Sequence, residues 1–159
     1  MWATATAGLC SLVVEAETPV SALHQQGTPL IRSMTLEDFQ KLVQAMGFEC
    51  NREKDAAGKP ESYFIFRAEG YKVVGQVPAS TIISLFNIFT DKPSVETYNE
   101  WNKLNRFSRV YLDTDGNSVL EAEINLDGGV TREHIESTVK DFRDSVVRWA
   151  RFVIDHSKK

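Results

Sequence analysis

From Thr35 onward the apolar positions follow one period and then another. Leu36, Phe39, Leu42, Val43 and Met46 recur three and four residues apart, which is the spacing of one helix face. Thr35 stands ahead of them as a cap, and Glu37 and Asp38 fall in the first turn, where the helix dipole favours negative charge. Gly47 suits the left-handed exit. The pattern then turns β-like. Phe48–Arg52, Tyr63–Phe66, Tyr71–Gly75 and Thr81–Phe89 read as strands, the last being the strongest. Asp55–Pro60 and Glu69–Gly70 break them as turns. Short strands at this spacing imply an antiparallel meander.

Asp91-Lys-Pro-Ser94 ends that series and starts a second helix, with Ser94 as its cap. Val95, Tyr98, Trp101 and Asn102 fall on one face of it, and Leu104 is offset from that stripe. Phe107–Asp113 and Ser118–Leu126 read as two strands of a hairpin, because Asp-Gly inside Thr114–Asn117 is a strong turn signal. Asp127-Gly-Gly129 ends the hairpin and Thr131 caps a last helix. Ile135, Val139, Phe142, Val146, Trp149 and Val153 form a continuous stripe at gaps of four and three, which predicts a helix lying across the sheet. Up to about 24 residues at 1.5 Å each would span roughly 36 Å.

The remainder of the chain bears on organisation and location. Residues 23–34 contain Gly27 and Pro29 without a clear period and read as a linker. Trp2–Val14 carries no charge and is too short to span a bilayer, which needs about 20 residues. It has the length of the apolar core of a secretory signal. Val20-Ser-Ala22 suits a cleavage site, with Val14-Glu-Ala16 as a second option. No Lys or Arg precedes Trp2. Residues 1–22 are therefore read as the remnant of a signal peptide whose basic start lies upstream, as a weak signal, or as a disordered cytoplasmic tail. The first two place the protein in the periplasm or outside the cell; the third places it in the cytoplasm.

Composition narrows the function classes. The 159 residues suit one domain. With 42% hydrophobic and 25% charged residues the chain has a globular balance. Its net charge of −4, without any basic stretch, argues against a nucleic-acid partner. Two cysteines 40 positions apart, Cys10 and Cys50, make neither a disulfide scaffold nor a metal motif. His24, His134 and His156 lack zinc spacing. Asp113–Asn117 resembles the start of a calcium loop, but its glycine, Gly116, falls at position 4 and Ile124 occupies position 12, so a hairpin turn fits better. Glu121 and Glu123 share one strand face and read as solvated or arginine-paired. No catalytic set, cofactor motif or metal site emerges.

The stretch Asp91-Lys-Pro-Ser94, Tyr98-Asn-Glu-Trp-Asn102, Arg106–Asp113 and Leu120–Thr131 resembles the YbjN family of bacterial proteins, often labelled sensory-transduction regulators. The likeness covers roughly residues 35–155 and is specific between Asp91 and Thr131. It implies an α+β fold like that of type III secretion chaperones, in the order α-β-β-β-α-β-β-α, for a domain over 35–156. Exported relatives often carry a cysteine pair in or just before the third strand; Pro78–Asn87 has none. The resemblance brings no catalytic residues and no cofactor.

Within that motif Asn99 and Asn102 flank Trp101 on a helix, where Asn is a mediocre former. Their amides either lock the helix end to the next strand or belong to a recognition surface. Arg106 and Arg109 near the junction either pair with acids or face solvent. Gly128 and Gly129 supply positive φ or close backbone approach; an anion at that helix start is disfavoured by Asp127. The reading that follows is a non-enzymatic interaction or regulatory module that binds a protein partner on its sheet or sheet edge. The alternatives are a small-ligand sensor or hydrolase with a deep pocket, and an envelope stability factor working as a dimer.

Overall fold

The computed structural model describes residues 28–156. The signal-peptide reading of 1–22 lies outside them. Helix α1 (Leu36–Ala45) begins at Thr35, whose hydroxyl oxygen accepts the Asp38 N–H at 3.1 Å. Four strands follow: β1 (Cys50–Asn51), β2 (Tyr63–Ala68), β3 (Tyr71–Ala79) and β4 (Ile82–Phe89). Helix α2 (Val95–Leu104) is capped by Ser94. The hairpin β5 (Arg109–Leu112) and β6 (Ser118–Asn125) leads to the 25-residue α3 (Arg132–His156). Thr131 caps α3 by accepting the His134 N–H at 3.2 Å.

The order implied by the resemblance is present with one strand more ahead of α2, which brings the count there to the four read from the residues. That strand, β1, is a two-residue edge ladder within the Phe48–Arg52 run. β3 runs four residues beyond Gly75, because Pro78 is accommodated where the β3–β4 register shifts between Gln76 and Ala79. β5 is shorter than Phe107–Asp113, starting only at Arg109. The residues read as a linker are partly tied down. Ile31 and Val130 exchange backbone hydrogen bonds at 2.7 and 3.0 Å, and the Met34 N–H donates to Ser80 C=O at 2.8 Å.

The sheet order is β1-β2-β3-β4-β6-β5, with every pair antiparallel. The first four strands form the expected meander. α2 then carries the chain past the position of β6 to the far edge, and the hairpin returns β6 to β4.

One sheet face makes the core. Phe64, Phe66, Val73, Ile83, Leu85, Leu120, Ala122 and Ile124 alternate onto it, and the whole expected α3 stripe from Ile135 to Val153 lies buried against it. Trp149 joins the layers, stacked on Tyr98 at 5.8 Å and edge-on to Trp101 at 5.3 Å and to Phe89 at 6.5 Å. Close approach decides Gly75: a Cβ there would lie 2.6 Å from Phe64 Cζ. Where β3–β4 pairing stops at Val74↔Phe86, the buried Asn87 amide takes over by donating to the Lys72 C=O.

Candidate interaction site

The site begins with the local chemistry of α2. Tyr98 and Trp101 are buried, so the helix docks through its aromatic residues, whereas Val95, expected on the same stripe, is exposed. Trp101 is 1% exposed and presents nothing to a partner. The Ser118 hydroxyl donates to Asp91 C=O at 2.6 Å, which leaves its oxygen to accept from Tyr98 OH at 2.7 Å. This chain of hydroxyls ties α2 to the start of β6.

The two asparagines of the motif separate here. Asn102 donates through Nδ2 to Val110 C=O at 3.0 Å and accepts the Val110 N–H through Oδ1 at 2.9 Å. Its amide thus occupies the place of a neighbouring strand on the free edge of β5. Asn99 is exposed on α2, and its side chain makes no hydrogen bond among the described residues. Asn105, not singled out in the sequence, closes the helix by donating through Nδ2 to Trp101 C=O at 3.1 Å.

The arginines also divide. Arg109 pairs with Glu121 at 2.9 Å and reaches Glu123 at 3.7 Å, which raises its basicity chiefly through the Glu121 hydrogen bond. The three side chains share one face because Arg109 sits opposite Glu121 in the ladder. The neighbouring Tyr111 phenol is shifted upward by partial burial and by the Glu121 charge. Arg106 is exposed and has no ion-pair partner among the described residues. At the far end of the hairpin Gly128 and Gly129 have φ of 83° and 93°. Gly129 also allows close approach, since a Cβ there would lie 2.9 Å from Leu30 Cβ. Asp127 is exposed and donates its N–H to Asn125 Oδ1.

No described helix covers the second face of the sheet. The register places Ile65, Val74, Phe86 and Glu121 in one row across it, ending on Arg109. Ile88, Val119 and Tyr111 form the next row. Ile65, Val74 and Phe86 are half-buried, and Ile88 and Tyr111 are 52% and 41% exposed. The result is an apolar centre with a charged rim. At the β5 edge lies a groove of about 780 Å³ between the α2–β5 connection, β6 and the first half of α3. No group of His, Cys, Asp and Glu among the described residues could hold a metal, and no described helix is long and apolar enough to cross a membrane.

This architecture is shared with known proteins. A family model described as "Putative bacterial sensory transduction regulator", YbjN, matches residues 35–155. The chain belongs to the YbjN family. A crystal structure of YbjN from E. coli, described as "a putative transcription regulator", superposes with a TM-score of 0.58 at 11% identity, covering 82% of this chain and 95% of that one. The Yersinia pestis type III secretion chaperone SycH, solved with a stable fragment of YscM2, superposes at 0.50 with 15% identity, covering 72% and 99%. No curated protein matches the sequence. The YbjN fold is therefore a chaperone-like α+β sheet. Its helix-free face was not singled out in the sequence. Tyr63-Phe-Ile-Phe66 and Ile82–Phe89 carry the available signal, since both are apolar at successive positions and so on both faces.

Proposed function

We propose that this YbjN-family protein is a non-catalytic regulatory module that holds a protein partner against the helix-free face of its sheet. One observation carries the reading: the Ile65–Val74–Phe86 row and the exposed Ile88 and Tyr111 form a continuous apolar patch on that face. A patch of this kind, rimmed by charge, marks an interaction surface. A chaperone of similar fold, SycH, was solved in complex with a stable fragment of YscM2. The groove at the β5 edge is open and charged, unlike the enclosed apolar cavity a small-ligand sensor uses.

The test is site-specific photocrosslinking in the native host. A benzophenone side chain at Ile88 is expected to capture one defined protein, and the same group at Lys140, exposed on α3, is not. Phe86→Asp should abolish the Ile88 product while the protein stays folded. Equal capture from both positions, or none from Ile88, would overturn the reading. A product of twice the chain mass would identify the partner as a second copy.

For location we propose export, with residues 1–22 as a leader. The reading is supported by the uncharged Trp2–Val14 run and the small residues at Val20–Ala22. Intact mass of the protein recovered from the periplasm should begin at Leu23 or Glu17; a full-length cytosolic species would place it in the cytoplasm.

A further inference from the structure

The two strands of the last hairpin differ in length. β5 pairs only with Ser118–Glu121, whereas β6 continues to Asn125. The direction of the unpaired groups follows from Asn102. Because the Val110 N–H and C=O both face Asn102, they point away from β6. Alternation then turns Arg109 and Tyr111 toward β6, and their partners Glu121 and Val119 toward β5. Two and four residues past Glu121, the backbones of Glu123 and Asn125 face the same side. No described strand meets them there. Neither backbone N–H nor C=O finds a partner on that side among the described residues. The opposite edge of β6 is fully paired with β4 to Asn125.

This open stretch borders the 780 Å³ groove, and the groove walls are unsatisfied too. The Ser108 hydroxyl lines it, is 7% exposed as a residue, and has no hydrogen-bond partner among the described residues. Arg106 on one wall has no ion pair among the described residues, and neither has Asp141 on the α3 wall. Glu121 and Glu123 are held by Arg109. Alternating main-chain donors and acceptors along a strand edge are matched by another extended main chain. The overhang at residues 122–125, open on the β5 side, would take about four residues of it, roughly 13 Å at 3.3 Å each.

We propose that the open edge of β6 at Glu123 and Asn125 is a strand-addition site for an extended peptide segment carrying both an acidic side chain, for Arg106, and a basic one, for Asp141. The segment would lie in line with β5, beginning where Arg109 leaves off, and would bury the Ser108 wall. The site meets the helix-free face at Arg109, Glu121 and Glu123, but its main-chain donors and acceptors lie on the strand edge and do not depend on what that face binds.

The probe is the peptide acetyl-Val-Glu-Val-Lys-Val-amide, titrated into the isotope-labelled full chain. Saturable shifts are expected at the Glu123 and Asn125 amides. An analogue with its main-chain nitrogens methylated, which cannot donate, should leave them unmoved. Arg106→Glu should weaken binding about two- to fivefold, the size of one exposed ion pair, and exchanging the peptide Glu for Lys should restore it. Phe86→Asp, which disables the other face, should leave these shifts intact. No shift at Glu123 and Asn125 with millimolar peptide overturns the proposal. So does an equal response to the methylated analogue, or a response centred on Ile88 and Val119.

Discussion

Removing the Asn102 amide isolates one interaction that holds the α2–β5 junction. In Asn102→Ala the Val110 N–H and C=O lose partners at 2.9 and 3.0 Å. A typical hydrogen bond contributes a net 0.5–1.5 kcal/mol, so two bound the loss at about 1–3 kcal/mol. The junction is at the surface, where water can replace part of the pairing, and this places the expected loss near 1–1.5 kcal/mol. For a chain of this length that lowers Tm by about 2–6 °C. Asn102→Asp keeps an acceptor for the Val110 N–H but sets a carboxylate against its C=O, so it should be no better than alanine. Asn99→Ala, one turn away and without a bond, should change stability by less than about 0.5 kcal/mol. Thermal unfolding measures the difference, and amide exchange locates it, since the Val110 N–H should lose protection only in the Asn102 variants. Equal Tm values for the two alanine variants, with Val110 protection unchanged, would refute the edge-capping role.

Three further expectations test other parts of the fold. Gly75→Ala drives a Cβ to 2.6 Å from the fully buried Phe64 ring, and overpacking of this kind costs about 1–3 kcal/mol; a neutral chemical-denaturation midpoint would contradict it. The Asp113 carboxylate accepts N–H groups from Asn117 at 2.7 Å and Asp115 at 2.9 Å, and the Asn117 contact chiefly holds its pKa below the ordinary 3.8. With a depressed folded value, its contribution to stability is present above the ordinary range and is lost as pH falls through the lower folded value. Carboxyl-carbon titration of the native protein should show that lower midpoint, and one at or above 3.8 would remove the explanation. Burial pushes the Cys50 thiol from 9.0 up to about 11, so at pH 8 it holds about 100-fold less thiolate than an unburied thiol. Iodoacetamide labelling followed by peptide mass should be correspondingly slow in the native protein and fast in denaturant; equal rates would refute the shift.

The helices and strands are legible along the chain because their signals are local. Thr35, Ser94 and Thr131 stand immediately before apolar periodic runs, and each caps a helix. The α3 stripe from Ile135 to Val153 predicted every large apolar residue that α3 buries, since a helix turns its own residues onto a face without outside help. The Asp-Gly turn joined β5 to β6 for the same reason. The family motif between Asp91 and Thr131 carried the architecture.

Tertiary structure alone decided what those elements leave open. Nothing near Asn99 and Asn102 distinguishes them in sequence, yet one lies opposite a strand edge and the other faces solvent, because docking of Tyr98 and Trp101 sets the rotation of α2. Arg106 and Arg109 differ only once the β5 register puts Glu121 opposite Arg109. Phe48–Arg52 reads as a strand, but its narrowing to Cys50–Asn51 is set by a partner in β2 some fifteen residues away. The helix-free face and the overhanging edge of β6 arise from which side all three helices choose and where β5 stops. Strand pairing and layer packing join residues far apart in the chain, so the period of any single segment carries no record of them.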